Sequence, residues 1–247
     1  MCTVTWWRDS GAGSFGVWFN RDERRTRPAS EPVRRQTAGP EDTPFLAPRD
    51  PAAGGTWLLA NAHGLVVGVL NFYAAERDGV GTDAGGATPP RSRGTLPLHH
   101  AAARSVAEVQ HVMESLSCGD YAPFLLLAWD TSGEARWSWD GVRISCEPSP
   151  APPVTTSSFR SQEICAWRCA RYAEMVARPT AATLSTYQDD AVHAESAFNV
   201  RMRRPDAQTE SVCRVTVTPR EVHFWHRRES PDALTALDET ELRIDRA

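Results

Sequence analysis

The run Leu65-Val66-Val67-Gly68-Val69-Leu70 has no polar residue on either face of an extended chain, and this most constrains the fold. A strand apolar on both faces must be covered on both, so it belongs at the centre of a sheet held between other layers. Thr56-Trp57-Leu58-Leu59-Ala60-Asn61 precedes it across Ala62-His63-Gly64, which predicts a hairpin. A second hairpin is predicted at the start of the chain, with strands at Cys2 to Trp7 and Phe15 to Asn20 joined through Gly11-Ala12-Gly13. Gly11-Ala12-Gly13-Ser14-Phe15-Gly16 has the spacing of a dinucleotide-binding loop, but Val17-Trp18-Phe19 continues as strand where that loop needs a helix N-terminus, so the reading is rejected.

Further strands are predicted at Pro123 to Trp129, Ala135 to Trp139, Val142 to Cys146, Ala197 to Met202, Ser211 to Val217 and Glu221 to His226. Helical spacing marks His99 to Leu116, Gln162 to Ala177 and Pro179 to Tyr187. The Pro- and Arg-rich stretch after Asn20, as far as about Pro51, reads as a long loop, and Asp78 to Arg93 as a Gly- and Pro-rich one. Strands, then helices, then strands favour an α+β fold with mainly antiparallel sheets and segregated helices. At 247 residues, a single domain spanning 1–247 is expected.

The charge pattern removes several functions. All 27 basic residues are arginine, which excludes a Schiff-base lysine and the lysine of a phosphate-binding loop. A net charge of -4 leaves no broad basic face for nucleic acid; Arg21 to Arg35 reads either as a local anion site or as a solvated loop. No apolar run is long enough to span a membrane and no secretory signal opens the chain, so a cytoplasmic location is expected. The six cysteines, widely spaced, argue against a disulfide framework and are expected to be mostly free and buried. Cys165 and Cys169 share a helix face, but no second ligand pair accompanies them, so neither a metal nor a cofactor is expected.

Cys2 stands apart because of its position. Removal of Met1 would leave a thiol and a free α-amine on one residue, with unperturbed pKa values of about 8.5 and about 7.7–8.0, so one serves as base for the other. Cys2-Thr3, Asn20-Arg21-Asp22-Glu23, Gly54-Gly55-Thr56-Trp57, Asn61-Ala62-His63-Gly64, Leu70-Asn71 and Ser92-Arg93-Gly94, in this order, resemble the NRDE family, named for the tetrapeptide at 20–23 and including the transport and Golgi organisation protein 2 group. The match is close in the first half of the chain and loose in the second.

That family is considered similar to cysteine N-terminal-nucleophile (Ntn) hydrolases, which implies a four-layer αββα sandwich. The resemblance implies Cys2 as nucleophile, Asp22 as the acid near its amine and Asn71 as an oxyanion-hole donor. Arg21 is expected to hold a substrate carboxylate, to fix Asp22, or to form a surface salt bridge; Arg93 would suit an anionic group of the substrate. Those hydrolases carry a second asparagine in mid-chain. Here the counterpart is Thr155-Thr156-Ser157-Ser158, so Thr156 and Ser157 are the substitutes, a hydroxyl donating where an amide would. A late arginine would be Arg201, Arg203 or Arg204. The implied activity is hydrolysis of a linear non-peptide amide. The competing reading is a non-enzymatic haem or lipid binding or trafficking protein on the same scaffold.

Overall fold

The computed structural model describes residues 2–76, 91–230 and 236–247. Most of the loop expected at Asp78 to Arg93 lies outside them. The first hairpin forms as predicted, with β1 (Cys2–Asp9) and β2 (Ser14–Arg24) turning through Gly13 at φ 59°. The chain returns to this sheet through β10 (Val154–Thr156), β11 (Ala207–Val217), β12 (Glu221–Glu229) and β13 (Ala236–Asp245), giving the strand order β10-β1-β2-β11-β12-β13.

The second sheet has the order β3-β4-β5-β6-β7-β8-β9, from β3 (Glu31–Ala38), β4 (Thr43–Arg49), β5 (Leu58–Asn61), β6 (Val66–Asn71), β7 (Phe124–Trp129), β8 (Glu134–Trp139) and β9 (Ile144–Pro148). Each of its pairings is antiparallel. The apolar run is explained by its place. Val66 and Leu70 of β6 join Val4, Phe19 and Val215 of the first sheet in the inter-sheet core, while Val67 and Val69 face outward. There they meet Val109 and Met113 of helix α2 (Val106–Ser115), the short α1 (Tyr73–Glu76) preceding it in the chain. Trp6 and Trp129 meet edge to face between the sheets at 5.5 Å.

On the outer face of the first sheet, Trp18 packs with Tyr172 of α3 (Ser161–Met175) and with Leu184 and Tyr187 of α4 (Ala181–Gln188). Two antiparallel sheets thus pack face to face with helices outside each, the αββα arrangement. No helix among the described residues is long and apolar enough to cross a membrane.

Four expectations are corrected. The stretch following β2 is not a loop: β3 and β4 form a hairpin there, with Pro32, Arg34 and Arg35 in β3 at the edge of the sheet, where missing donors and charge are tolerated, and Pro44, Pro48 and Arg49 in β4, which pairs with β5 on its other side. Ala197 to Met202 is not a strand; its first residues belong to a 3₁₀ turn at Ser196–Phe198. The helix expected from His99 begins only at Val106, capped by the Ser105 hydroxyl, after a 3₁₀ turn at Pro97–His100. The cysteines are free, but only Cys118 and Cys213 are buried; Cys146 and Cys169 are exposed.

Candidate active site

The tetrapeptide Asn20-Arg21-Asp22-Glu23 lies at the end of β2, and the period of a strand divides its functions between two faces. Asn20 and Asp22 point to the helices. The Asn20 amide donates to the carbonyls of Gln188 (2.9 Å) and Val200 (3.1 Å), tying the end of α4 to the sheet. Arg21 and Glu23 take the other face, where the Arg21 guanidinium bonds Glu23 at 3.1 Å.

Arg21 is buried in a carboxylate cluster. It also donates to Glu210 (2.7 Å) and Asp50 (3.1 Å) and lies over the Trp57 ring at 4.6 Å. The separated sequence motifs meet at this point. Gly54 and Gly55 fold the chain back so that Asp50 N–H donates to Gly55 O and Gly54 N–H to Asp50 O, each at 2.8 Å, which sets Asp50 and Trp57 around Arg21. Thr56 N–H donates to Gly94 O at 2.8 Å, and a Cβ on Gly55 would lie 2.3 Å from the Gly94 backbone, so Gly55 and the Ser92-Arg93-Gly94 motif require one another. Burial pushes Asp50 up, but Arg27 and Arg21 outweigh it and hold its carboxyl below the usual range. Glu210 behaves alike: burial is outweighed by Arg21 and by the N–H and hydroxyl of Ser30. With three carboxylates around it, Arg21 is a buried hub rather than a surface salt bridge.

Cys2 heads β1 between two strands, its Cα partnered by Arg21 on one side and Thr156 on the other. Directly opposed residues project to one face, so the half-buried thiol shares the inter-sheet face with Arg21 and Thr156, away from the Asp22 carboxylate. Burial raises the thiol pKa; nearby Arg21 and a hydrogen bond from the Asp22 backbone N–H oppose the rise without cancelling it. A protonated thiol needs a base. Thr156 is 5% exposed, and its Oγ1 has no hydrogen-bond partner among the described residues.

Asp22 is held on the helix side by Arg168, a residue that sequence reasoning missed. Both side chains are 0% exposed, with Nη1 and Nη2 of Arg168 at 3.5 Å from Asp22 Oδ2. Arg168 Nη1 also donates to Thr3 Oγ1 (2.9 Å), and its other donors meet the carbonyls of Phe198 and Ala197. Thr209, opposite Asp22 on β11, donates to Asp22 Oδ1 at 2.7 Å. Burial drives the Asp22 pKa upward, opposed by Arg168 and Thr209. The only sequence signal for Arg168 was a charge on the apolar side of a helix, near Ile164 and Tyr172.

The remaining candidates divide. The Asn71 amide, at the end of β6, donates to Tyr73 Oη at 2.6 Å. Arg93 donates to Pro123 O at 2.9 Å, the carbonyl that also accepts from Phe72 N–H, so it braces the chain just after Asn71. Ser157 is fully buried and closes a local turn, its hydroxyl donating to Phe159 O and accepting from Phe159 N–H. Arg201 pairs with Glu229 and Arg204 with Asp206, and the Arg203 backbone N–H bonds Ser196. A cavity of about 260 Å³ opens beside Thr156, bounded by Phe72, Leu125 and Val154.

Comparison with known proteins agrees with this architecture. Residues 1–156 match the model of the Transport and Golgi organisation 2 family. The chain belongs to that family. No curated protein sequence matches it. Among solved structures, it is similar to the C2A mutant of conjugated bile acid hydrolase from Clostridium perfringens, at a TM-score of 0.53 and 14% identity, covering 96% of this chain and 92% of that one. Another variant of the same hydrolase matches at a TM-score of 0.52, with the same identity and coverage. At that identity the likeness establishes the fold alone, the two packed antiparallel sheets with helices outside.

Proposed function

We propose that the protein is a cysteine Ntn hydrolase that cleaves a small linear amide. The observation that carries this reading is the setting of Cys2: a thiol at the head of a strand, between Arg21 and Thr156, whose hydroxyl has no partner among the described residues. After Met1 is removed, the Cys2 α-amine takes the thiol proton and sulfur attacks the amide carbonyl. Thr156 Oγ1 and the Asn71 amide, whose NH₂ has a second donor beyond the one given to Tyr73, stabilise the oxyanion. The C–N bond breaks as the amine's proton passes to the leaving nitrogen, leaving a thioester on Cys2. Water then adds, giving its proton to the α-amine; the C–S bond breaks, the thiol is reprotonated, and the carboxylic acid departs. Asp22, anchored by Arg168 and Thr209, orients the amine and does not touch the substrate. The hydrolase named among the similar structures supports the reaction class.

Intact-mass spectrometry and alkylation test the reading. The mature chain is expected to lack Met1, and Cys2 to react with iodoacetamide at pH 7.5 ahead of the other five cysteines, while C2A accumulates no acyl adduct with an activated amide. A mature chain retaining Met1, or a Cys2 that labels no faster than buried Cys213, would overturn it.

A further inference from the structure

The cavity beside Thr156 has two chemically different walls. Phe72, Leu125 and Val154 form an apolar floor, while Arg136 and Ser138 of β8 bring polar groups from the second sheet. The alternation of β8 explains why an arginine faces this space. Ala135, Trp137 and Trp139 pack outward with the α2 layer, so Arg136 and Ser138 share the inter-sheet face with their partners Leu127 and Leu125.

Two of the residues lining this cavity each carry a buried polar atom with no hydrogen-bond partner among the described residues: Thr156, at Oγ1, and Arg136, at Nε. Buried polar groups are normally satisfied, so an unmet donor from each of the two sheets beside one cavity points to a ligand with an acceptor for each. Arg21, also on the inter-sheet face, already has three carboxylates around it. Arg136 has one, Glu147, on the adjacent strand β9, which leaves most of its five N–H donors uncommitted to carboxylate.

We propose that Arg136, with Ser138, binds a carboxylate on the substrate, whose amide carbonyl meets Thr156 across a short aliphatic segment lying on Phe72 and Leu125. The proposal rests on the hydrolase reading of Cys2 and adds the substrate class, small amides that carry a carboxylate. Arginine's planar fork fits a carboxylate. Glu147 beside it disfavours a dianion such as phosphate by like-charge repulsion, and the cavity lies below the roughly 300–1,000 Å³ range of sites for drug-sized ligands, which fits a small substrate.

Equilibrium binding to the full mature chain, by calorimetry, tests this with two matched pairs: glutaramate against pentanamide, and N-acetylglycine against N-ethylacetamide. The carboxylate-bearing member of at least one pair is expected to bind at least tenfold more tightly. That preference should vanish in R136Q and survive in part in R136K, with thermal midpoints confirming that both variants fold. Equal affinity within both pairs, or an R136Q variant that keeps the preference, overturns the proposal. Carboxylate preference without acyl-enzyme or turnover would support this site and count against the hydrolase reading. Turnover of neutral and anionic amides at equal rates would do the reverse.

Discussion

Replacing Arg168 by methionine isolates the most consequential buried interaction near Cys2. Arg168 and Asp22 are both 0% exposed, so neither charge has water to fall back on. In R168M the Asp22 carboxylate keeps only the Thr209 hydroxyl among its named side-chain partners, and the Thr3 hydroxyl and the carbonyls of Phe198 and Ala197 lose a donor. Breaking a buried pair by removing one partner costs about 3–5 kcal/mol. Methionine fills much of the arginine's volume, so a cavity adds little, and about 4 kcal/mol is expected in total. D22N keeps the Thr209 bond but leaves the guanidinium without its counter-charge, at about 3 kcal/mol. The double variant should cost at least about 2 kcal/mol less than the two singles together, because it leaves no buried charge unpaired. Urea unfolding of the three variants at pH 7.5 measures these values, and high salt should leave them nearly unchanged because buried pairs escape screening. A cost below about 1 kcal/mol for R168M, or additivity within about 0.5 kcal/mol, would refute the reasoning.

T156V should be less active and no less stable: it removes an unpartnered buried hydroxyl, while loss of one oxyanion donor lowers kcat by about 10²–10³, and a stable variant with full kcat would exclude Thr156 from the reaction. His100 and His226, both fully buried, have pKa values lowered to about 4, chiefly by burial. Their depressed folded values mean that the unfolded chain takes up protons first, so stability is full above about pH 6.5 and falls as pH drops toward 4, by about 3 kcal/mol per ring. Asp22, shifted upward, acts in the opposite sense, so the test is the difference between wild type and H226F, which should flatten the acid limb of a urea-midpoint profile; an unchanged slope would count against it. G55A places a Cβ against the Gly94 backbone and should lower stability by about 1–3 kcal/mol by thermal unfolding, whereas G119A, with nothing within 4 Å of the added carbon, should not.

Local pattern made much of the fold legible. The apolar run at 65–70 required a central, doubly covered strand, and β6 is one, because a strand with no polar face has no other stable position. The first hairpin, β7, β8 and the helices α3 and α4 follow from periodicity in the same way. The edge strands β3 and β10 were not legible. Their sequences are arginine- and proline-rich or very short, and such segments become strands only when a neighbour offers hydrogen-bonding groups.

By itself, the sequence determined a cysteine at the head of a strand, a set of 27 basic residues that are all arginine and a tetrapeptide at the end of a strand. Tertiary structure alone decided that the tetrapeptide serves two faces, with Asp22 given to Arg168 on the helix side and Arg21 to Asp50 and Glu210 between the sheets. It also decided that β10 would bring the Thr156 hydroxyl beside Cys2, next to a cavity holding Arg136. The physical reason is range: periodicity is set by neighbours along the chain, whereas a buried charge acquires its partner from whichever segment the sheet order brings against it, 146 residues away for Asp22 and Arg168.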